Sequence, residues 1–396
     1  MIKISKKTLQ DLEYELVVEQ IAELNVTSLG KTKILNTVPF SNRNEVSRSL
    51  NLTNEFLTSF ENENRIPNHG FEDITKELKL IKIENNYLEI NGFRKIASCC
   101  ITSNILIKFF KKHKDYYPLL NTLSSTNEIN TIIPDAINDV IDKHGEIRNN
   151  ASDLLHTTRK SIQSVRTKVN SSFNSALSTY NSAEYLDDIR ETVMENRRVL
   201  AVKSMHRRKV KGSILGSSKT GSIVYIEPET THLHQRELNN LEFEETEEIK
   251  RILLELTSLI SVYSDYLSKC QFYLTEMDVI YAKAKYAKSI QAVLPKITET
   301  QEIYLVDAYH PLLLVSNRKE ETKTYPQTIT MTTKSRIIVI SGPNAGGKSI
   351  TLKTVGLLQL MVQSGMLIPV HESSKVCLFD SILSDIGDNQ SIENHL

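Results

Sequence analysis

The 396-residue sequence is most easily bounded by what it lacks. It has four cysteines, Cys99, Cys100, Cys270 and Cys377, and none stands in a C-x-x-C spacing. Free thiols in a reducing compartment are therefore the preferred reading over a disulfide framework or a thiolate metal site. No apolar run approaches the roughly 20 residues needed to cross a bilayer. The N-terminus, MIKISKKTLQDLEYE, turns acidic too early for a signal peptide. A cytoplasmic protein with no membrane partner is therefore expected. Net charge is also missing: Lys+Arg and Asp+Glu both total 48, so the overall balance points to no partner. Short repeats and low-complexity tracts are absent. What remains is 40% apolar and 24% charged, ordinary for a soluble globular chain of about two to four domains.

Glycine and proline are distributed unevenly, and their gaps give the organisation. Leu9, Leu12, Leu16 and Ile21 to Leu24 form a helical stripe, which resumes beyond the loop Pro67-Asn68-His69-Gly70 with Leu78, Ile81, Ile96, Ile101, Ile105 and Phe109. Residues 1–135 read as a helical core. His69 and His113 have no partner cluster and read as surface residues. Ala151 to about Tyr180 contains neither Gly nor Pro and carries a narrow stripe of Leu155, Ile162, Val165, Val169 and Phe173, which calls for a partner helix. A second such stretch runs from Gln235 to about Ala292, with Leu238, Leu241, Ile249, Leu253, Leu256 and Ile260 as its stripe. Between them lie short strand-like segments: a hairpin around Glu195-Asn196-Arg197-Arg198, and Ser222 to Ile226. One helix out, a small β tip and a helical return predict an antiparallel arm.

The tip is one-signed. Between Arg197 and Ile226 stand Arg197, Arg198, Lys203, Arg207, Arg208, Lys209, Lys211 and Lys219, and no Asp or Glu. Such a patch is the footprint of a phosphate backbone. It carries no interleaved aromatics, so sequence-independent, salt-sensitive contact is expected rather than base stacking. The competing reading is a solvated surface balanced by the acids of the return helix, Glu237, Glu242, Glu244, Glu245, Glu247, Glu248 and Glu255.

The stretch Ser335 to Leu360 holds the chemistry. Arg336 to Ile340 reads as a buried strand and Ile350 onward as a helix. Between them, Gly342-Pro343-Asn344-Ala345-Gly346-Gly347-Lys348-Ser349 fits the phosphate-loop pattern G-x4-G-K-[ST]. Glycines let backbone N–H groups turn toward a phosphate, and the helix N-terminus adds positive potential. Lys348 is expected on the β- and γ-phosphates and Ser349 on Mg²⁺, so ATP with Mg²⁺ is the expected cofactor. An ordinary glycine turn is the alternative. Upstream, Glu302 to Leu314 and Thr328 to Met331 are strand candidates; downstream, so are Lys375 to Asp380 and Ser381 to Ile386. A phosphate-loop ATPase also needs an acidic strand for Mg²⁺ and the attacking water. Asp380, Asp385 and Asp388 are the nearest acids, and strand-end or loop carboxylates are the plainer reading. The chain is thus expected to bind ATP without the means to hydrolyse it, and no catalytic residue is assigned.

The segment GPNAGGKSITLKTVGLLQLMVQSGMLIPV resembles the phosphate loop and following helix of the MutS family of ABC-type ATPases. Ser222 to Pro228, Leu238-Asn239-Asn240-Leu241 through Glu247-Glu248-Ile249, Ala308 to Leu313 and Asp385 to Ile392 are similar to its second bacterial branch, the endonuclease or recombination-suppressing type. The resemblance spans essentially the whole chain. It implies a multidomain fold, mainly α with α/β: helical core (1–135), lever helix out (136–183), basic β clamp (184–235), lever helices back (236–297), and the N-terminal part of a P-loop ATPase domain (298–396). It implies a homodimer without a mismatch-reading domain, and places Tyr325 where the family stacks an aromatic on adenine; a locally packed loop tyrosine is the alternative. The acidic strand and the C-terminal nuclease domain of the family have no counterpart here.

The function implied is an ATP-gated clamp on branched or duplex DNA that suppresses recombination, with ATP hydrolysis in the full-length protein. The same resemblance allows a ribosome-associated ATPase that splits stalled or collided ribosomes by gripping rRNA. A non-catalytic nucleic-acid scaffold is a third reading. A chromosome-organising ATPase is disfavoured, because those proteins place the phosphate loop before the coiled arm.

Overall fold

The computed structural model describes residues 2–342 and 347–386. Its contacts divide it into two units. One comprises Leu80–Phe93 and Asp135–Val262; the other comprises Met1–Lys79, Arg94–Pro134 and Tyr263–Leu396.

The first unit is an arm with a β tip. Its outbound helix, Asp153–Ser182, starts where the Ser152 hydroxyl accepts the Leu155 N–H at 3.0 Å, with Asp153 in the first turn. The return helix is Glu229–Ser261. Ser152 bonds Glu248 at 2.6 Å, Arg159 pairs with Glu245 at 2.6 Å, and Arg166 with Glu242 at 2.7 Å. Partner numbers fall as residue numbers rise, so the helices run antiparallel. Ile162, Val165 and Leu238 are buried at the seam, with Val169 and Leu241 beside them. The return is not one unbroken helix: it stops at Ser261 and resumes as Ser264–Ser289. The sequence across the break, SLISVYS, is rich in serine, β-branched and aromatic residues, which are mediocre helix formers.

The tip is an antiparallel sheet of β1 (Leu186–Met194), β2 (Arg197–Lys203), β3 (Gly212–Ser217) and β4 (Ile223–Pro228), in the order β1-β2-β4-β3. Met194 pairs with Arg197 across a two-residue turn, and Glu195 and Asn196 both have positive φ, 47° and 59°. This is the hairpin geometry whose twist matches the strands. Leu186, Leu200, Val202, Val210, Val224 and Ile226 close over Phe173 of the outbound helix.

The second unit is mostly helical around Ser264–Ser289, whose buried residues lie on every face, from Leu267 to Ala287. Helices Tyr14–Ala22, Ser28–Leu35 and Arg43–Thr58 pack against it. A small mixed sheet adds β5 (Lys296–Ile297), β6 (Ile303–Ala308), β7 (Gln327–Met331) and β8 (Lys375–Val376), ordered β5-β8-β6-β7. The helix Lys348–Gln363 buries its C-terminal half, Leu357 to Gln363, in the same core.

Several sequence expectations are corrected here. Arg336 to Ile340 forms no strand: Ile337 is 81% and Val339 85% exposed. A β run without a ladder partner leaves its backbone groups to water, and among the described residues no strand pairs with this one. Pro311 to Leu314 begins a helix, Pro311–Lys319, rather than continuing a strand, with Pro311 in the first turn where its missing N–H costs nothing. Ser381 to Ile386 contributes one bridge, Lys3 with Ser381, rather than a strand. His69 is buried, not a surface residue.

Candidate nucleotide and nucleic-acid sites

Of the predicted phosphate loop, Pro343, Asn344, Ala345 and Gly346 lie outside the described residues, as do Asp388 and the rest of the stretch 387–392. Gly342 and Gly347 flank the gap. Gly347 caps the helix Lys348–Gln363 with φ +77°, a conformation that a side chain disfavours. Among the described residues, a Cβ placed on Gly342 or on Gly347 would meet no atom within 4 Å. The Lys348 ammonium donates to the Gly342 carbonyl, which brings the two ends of the loop together. Ser349 is exposed in the first turn. Open glycines, an unburied helix N-terminus, a lysine and a hydroxyl together fit a magnesium triphosphate.

The other end of this helix is firmly held. Lys353 forms a buried 2.8 Å pair with Glu13. At the C-cap, the Ser364 hydroxyl meets Tyr14 Oη at 2.6 Å, and the Ser364 carbonyl accepts the Lys283 ammonium at 2.7 Å. Gln363 donates to the carbonyls of Phe40 and Phe379, both at 3.0 Å. A cation at a helix C-terminus also matches the helix dipole. Burial and the neighbouring Lys33 ammonium push Lys283 down to about 8. His310 is buried beside Lys353; burial first, and that charge second, lower its pKa to about 3. Sequence reading passed over Glu13, Lys283, His310 and Lys353. A lysine at an apolar helix position, as at 283 and 353, was the available signal.

A cavity of about 600 Å³ lies along the same helix, lined by Ile338, Ile340, Leu352, Val355, Ile329 and Leu383 among others. Asp380 is exposed, and Asp385 is exposed with Lys7 at 3.7 Å. Tyr325 is 72% exposed, with the Lys323 ammonium 5.2 Å from its ring centre.

The tip cations divide into two groups. Arg197 reaches the buried Glu227 at 3.1 Å. Arg198 pairs with Glu191 at 2.6 Å, bonds Asn174 at 3.1 Å and lies 4.2 Å from the Phe173 ring centre. Both therefore brace the tip. Arg207, Arg208, Lys209, Lys211 and Lys219 are exposed, and Lys203 is half-buried. Among the described residues none of these six has a carboxylate within ion-pair distance. Lys209 lies over the Tyr185 ring at 5.2 Å. Of the tip's acids, Asp187, Asp188 and Glu191 sit on β1 at one edge of the sheet, Glu195 stands in the hairpin turn, and the buried Glu227 lies on β4.

Comparison with known proteins bears on this arrangement. A sequence model of MutS domain V matches residues 338–395. A protein named endonuclease MutS2 from Pediococcus pentosaceus is 33% identical over 99% of this chain and 49% of its own length. The endonuclease MutS2 proteins of Alkaliphilus oremlandii, 31% identical over 99% of the chain, and of a Geobacillus species, 32% over 98%, are each likewise covered to 49%. Over nearly its whole length the chain is similar to MutS2 proteins of the MutS family. It spans about half the length of the curated relatives it matches. The similarity to these MutS2 proteins runs through arm, tip and core alike, well beyond the matched domain V. Among the described residues no helix is long and apolar enough to cross a membrane.

Proposed function

We propose that this chain is the ATP-seating and DNA-gripping part of a MutS-type clamp. The observation that carries the reading is the start of the helix Lys348–Gln363, where the half-buried Gly347 and Lys348 and the exposed Ser349 stand together on a helix anchored at its far end. When bound, Mg-ATP supplies the charge that this end of the helix lacks. Lys348 would leave the Gly342 carbonyl for the phosphates, Ser349 would hold Mg²⁺, and the N–H groups of the first turn would face the phosphate oxygens. Pro343 to Gly346 complete the loop by their place in the sequence, and Tyr325 is the candidate adenine contact. No hydrolytic step is assigned to residues of this chain.

The exposed tip cations supply the DNA grip. Arg207, Arg208, Lys209, Lys211 and Lys219, with Lys203, would meet phosphates on branched or duplex DNA without reading sequence. Pairing of two copies, recombination suppression and turnover of ATP belong to the whole protein and are part of the same proposal. The relatives lend no support to the ribosomal alternative, which becomes an outcome of the test.

Lys348→Ala is expected to abolish binding of a fluorescent ATP analogue, because the loop loses its point charge. Replacing Arg207, Arg208 and Lys209 by alanine is expected to weaken DNA binding and flatten its log–log salt slope by about 0.9 for each phosphate no longer engaged. Unchanged ATP affinity, or an unchanged salt slope, would overturn the corresponding site. Preferential capture of ribosomes over branched DNA would move the partner to rRNA.

A further inference from the structure

The core unit contains a second concave surface of different chemistry. A cleft of about 540 Å³ lies between the loop at residues 65–69 and the helix Ser264–Ser289. Its wall is aromatic: Tyr281 packs edge-on against Phe56 at 5.7 Å and Phe60 at 6.1 Å, and His69 lies 4.8 Å away. Its rim is cationic. The exposed Lys285 and Lys288 place their ammonium groups 5.4 Å from the Tyr281 ring centre and 5.5 Å from that of Phe60, and exposed Arg65 stands on the loop side. Among the described residues no Asp or Glu lines the cleft.

The floor is built rather than incidental. His69 Nε2 meets the Asp278 carboxylate at 3.0 Å, which fixes the ring. Asp278 is fully buried and also accepts the N–H groups of Val26 and Thr27 and the Thr27 hydroxyl, at 2.9, 3.0 and 2.6 Å. Gly30 allows this: a Cβ there would lie 2.1 Å from Asp278 Oδ2. Asp278 thus spends its charge on internal donors, behind the rings, and the cleft itself presents cations only.

Aromatic faces bounded by cations, with no acids, suit a ligand that is itself flat and anionic. We propose that this cleft binds a nucleotide, with the base on Tyr281 and Phe60 and a phosphate among Arg65, Lys285 and Lys288. Tyr281 and Phe60 are half-buried, and the groups over their rings include the heads of two exposed, flexible lysines. On binding, those heads exchange ring for phosphate while the base takes their place, an exchange of a weak cation–π contact for a charge-assisted one. There is no glycine loop here to wrap a polyphosphate, so a base carrying a single phosphate fits better than Mg-ATP. The basic tip contacts phosphates alone; this cleft adds the stacking that the tip lacks. A free nucleoside monophosphate and one residue of a single strand share this chemistry.

The test uses the full chain carrying Lys348→Ala, with Lys203, Arg207, Arg208, Lys209, Lys211 and Lys219 also replaced by alanine, so that neither proposed site contributes. AMP and a short oligothymidylate are titrated separately by calorimetry. The expected result is binding of at least one, weakened about tenfold by Phe60→Leu, since a stacked base is worth about that much. Lys285→Ala with Lys288→Ala, both solvent-exposed positions, is expected to weaken it further and reduce its salt dependence. AMP binding identifies a free nucleotide as the ligand, and oligothymidylate binding alone identifies a strand. Binding of neither, or binding indifferent to both sets of changes, overturns the proposal and leaves the phosphate loop and tip assignments standing.

Discussion

His310 shows how a single buried group sets acid stability. Neither ring nitrogen has a hydrogen-bond partner among the described residues, and its pKa falls from 6.5 to about 3. The folded chain therefore keeps this imidazole neutral while the unfolded chain protonates it. Stability from this group is full above 6.5 and is lost as pH falls toward 3, with a slope of up to about 1.4 kcal/mol per pH unit. His310→Leu is expected to flatten that acid limb in urea unfolding followed by circular dichroism. It should cost little at neutral pH, because two orphaned nitrogens leave with the ring. An acid limb as steep as that of the parent chain would refute this. Lys283 works in the opposite range. Its pKa is lowered from 10.5 to about 8, so between those values the unfolded chain holds the extra proton and stability rises with pH. Lys283→Met is expected to remove about 1–2 kcal/mol of the stability gained between pH 8 and 10. Unfolding midpoints of the two proteins that shift in parallel across that range would count against it.

At the scale of elements, the helix Lys348–Gln363 is anchored by polar contacts inside an apolar core. Removing one partner of a buried ion pair strands the other charge, at a typical cost of about 3–5 kcal/mol. Lys353→Met is therefore expected to destabilise the chain by about that amount, and Glu13→Gln with Lys353→Met by much less; denaturant titration of the three proteins checks both. The two arm helices, the hairpin at Glu195-Asn196, and the helix after the phosphate loop were legible in the sequence, because each rests on local signals: stripe spacing, gaps in glycine and proline, and a motif. What was not legible depends on distant partners. Arg336 to Ile340 has the composition of a strand, but a strand exists only where another can pair with it. His69 had no neighbour in sequence to bury it, since Asp278 lies 209 residues away. The break at Val262 and Tyr263 carries no glycine or proline, only a run of modest helix formers.

For the chain as a whole, a net charge of zero conceals segregation. In the tip, the carboxylates of Glu227 and Glu191 are taken by Arg197 and Arg198, while among the described residues Arg207, Arg208, Lys209, Lys211 and Lys219 have no carboxylate within ion-pair distance. Sequence counting placed Arg197 and Arg198 with the other tip cations as phosphate contacts. The geometry instead spends their guanidiniums on Glu227, Glu191 and Phe173. This separates two effects that a charge count merges. Arg198→Ala removes a cross-strand pair and a cation–π contact, and is expected to destabilise the tip by about 1 kcal/mol. Its DNA salt slope should stay near that of the parent chain, since the cation removed was already neutralised. Arg207→Ala with Arg208→Ala should do the reverse, leaving the unfolding midpoint in place and flattening the slope by about 0.9 per phosphate released. Measuring both variants by denaturation and by DNA binding at several salt concentrations decides the matter. If Arg198→Ala flattened the slope as much as the loop changes do, the bracing role assigned to that arginine would be wrong, and the phosphate-facing surface would extend along β2 from Lys203 to the hairpin end.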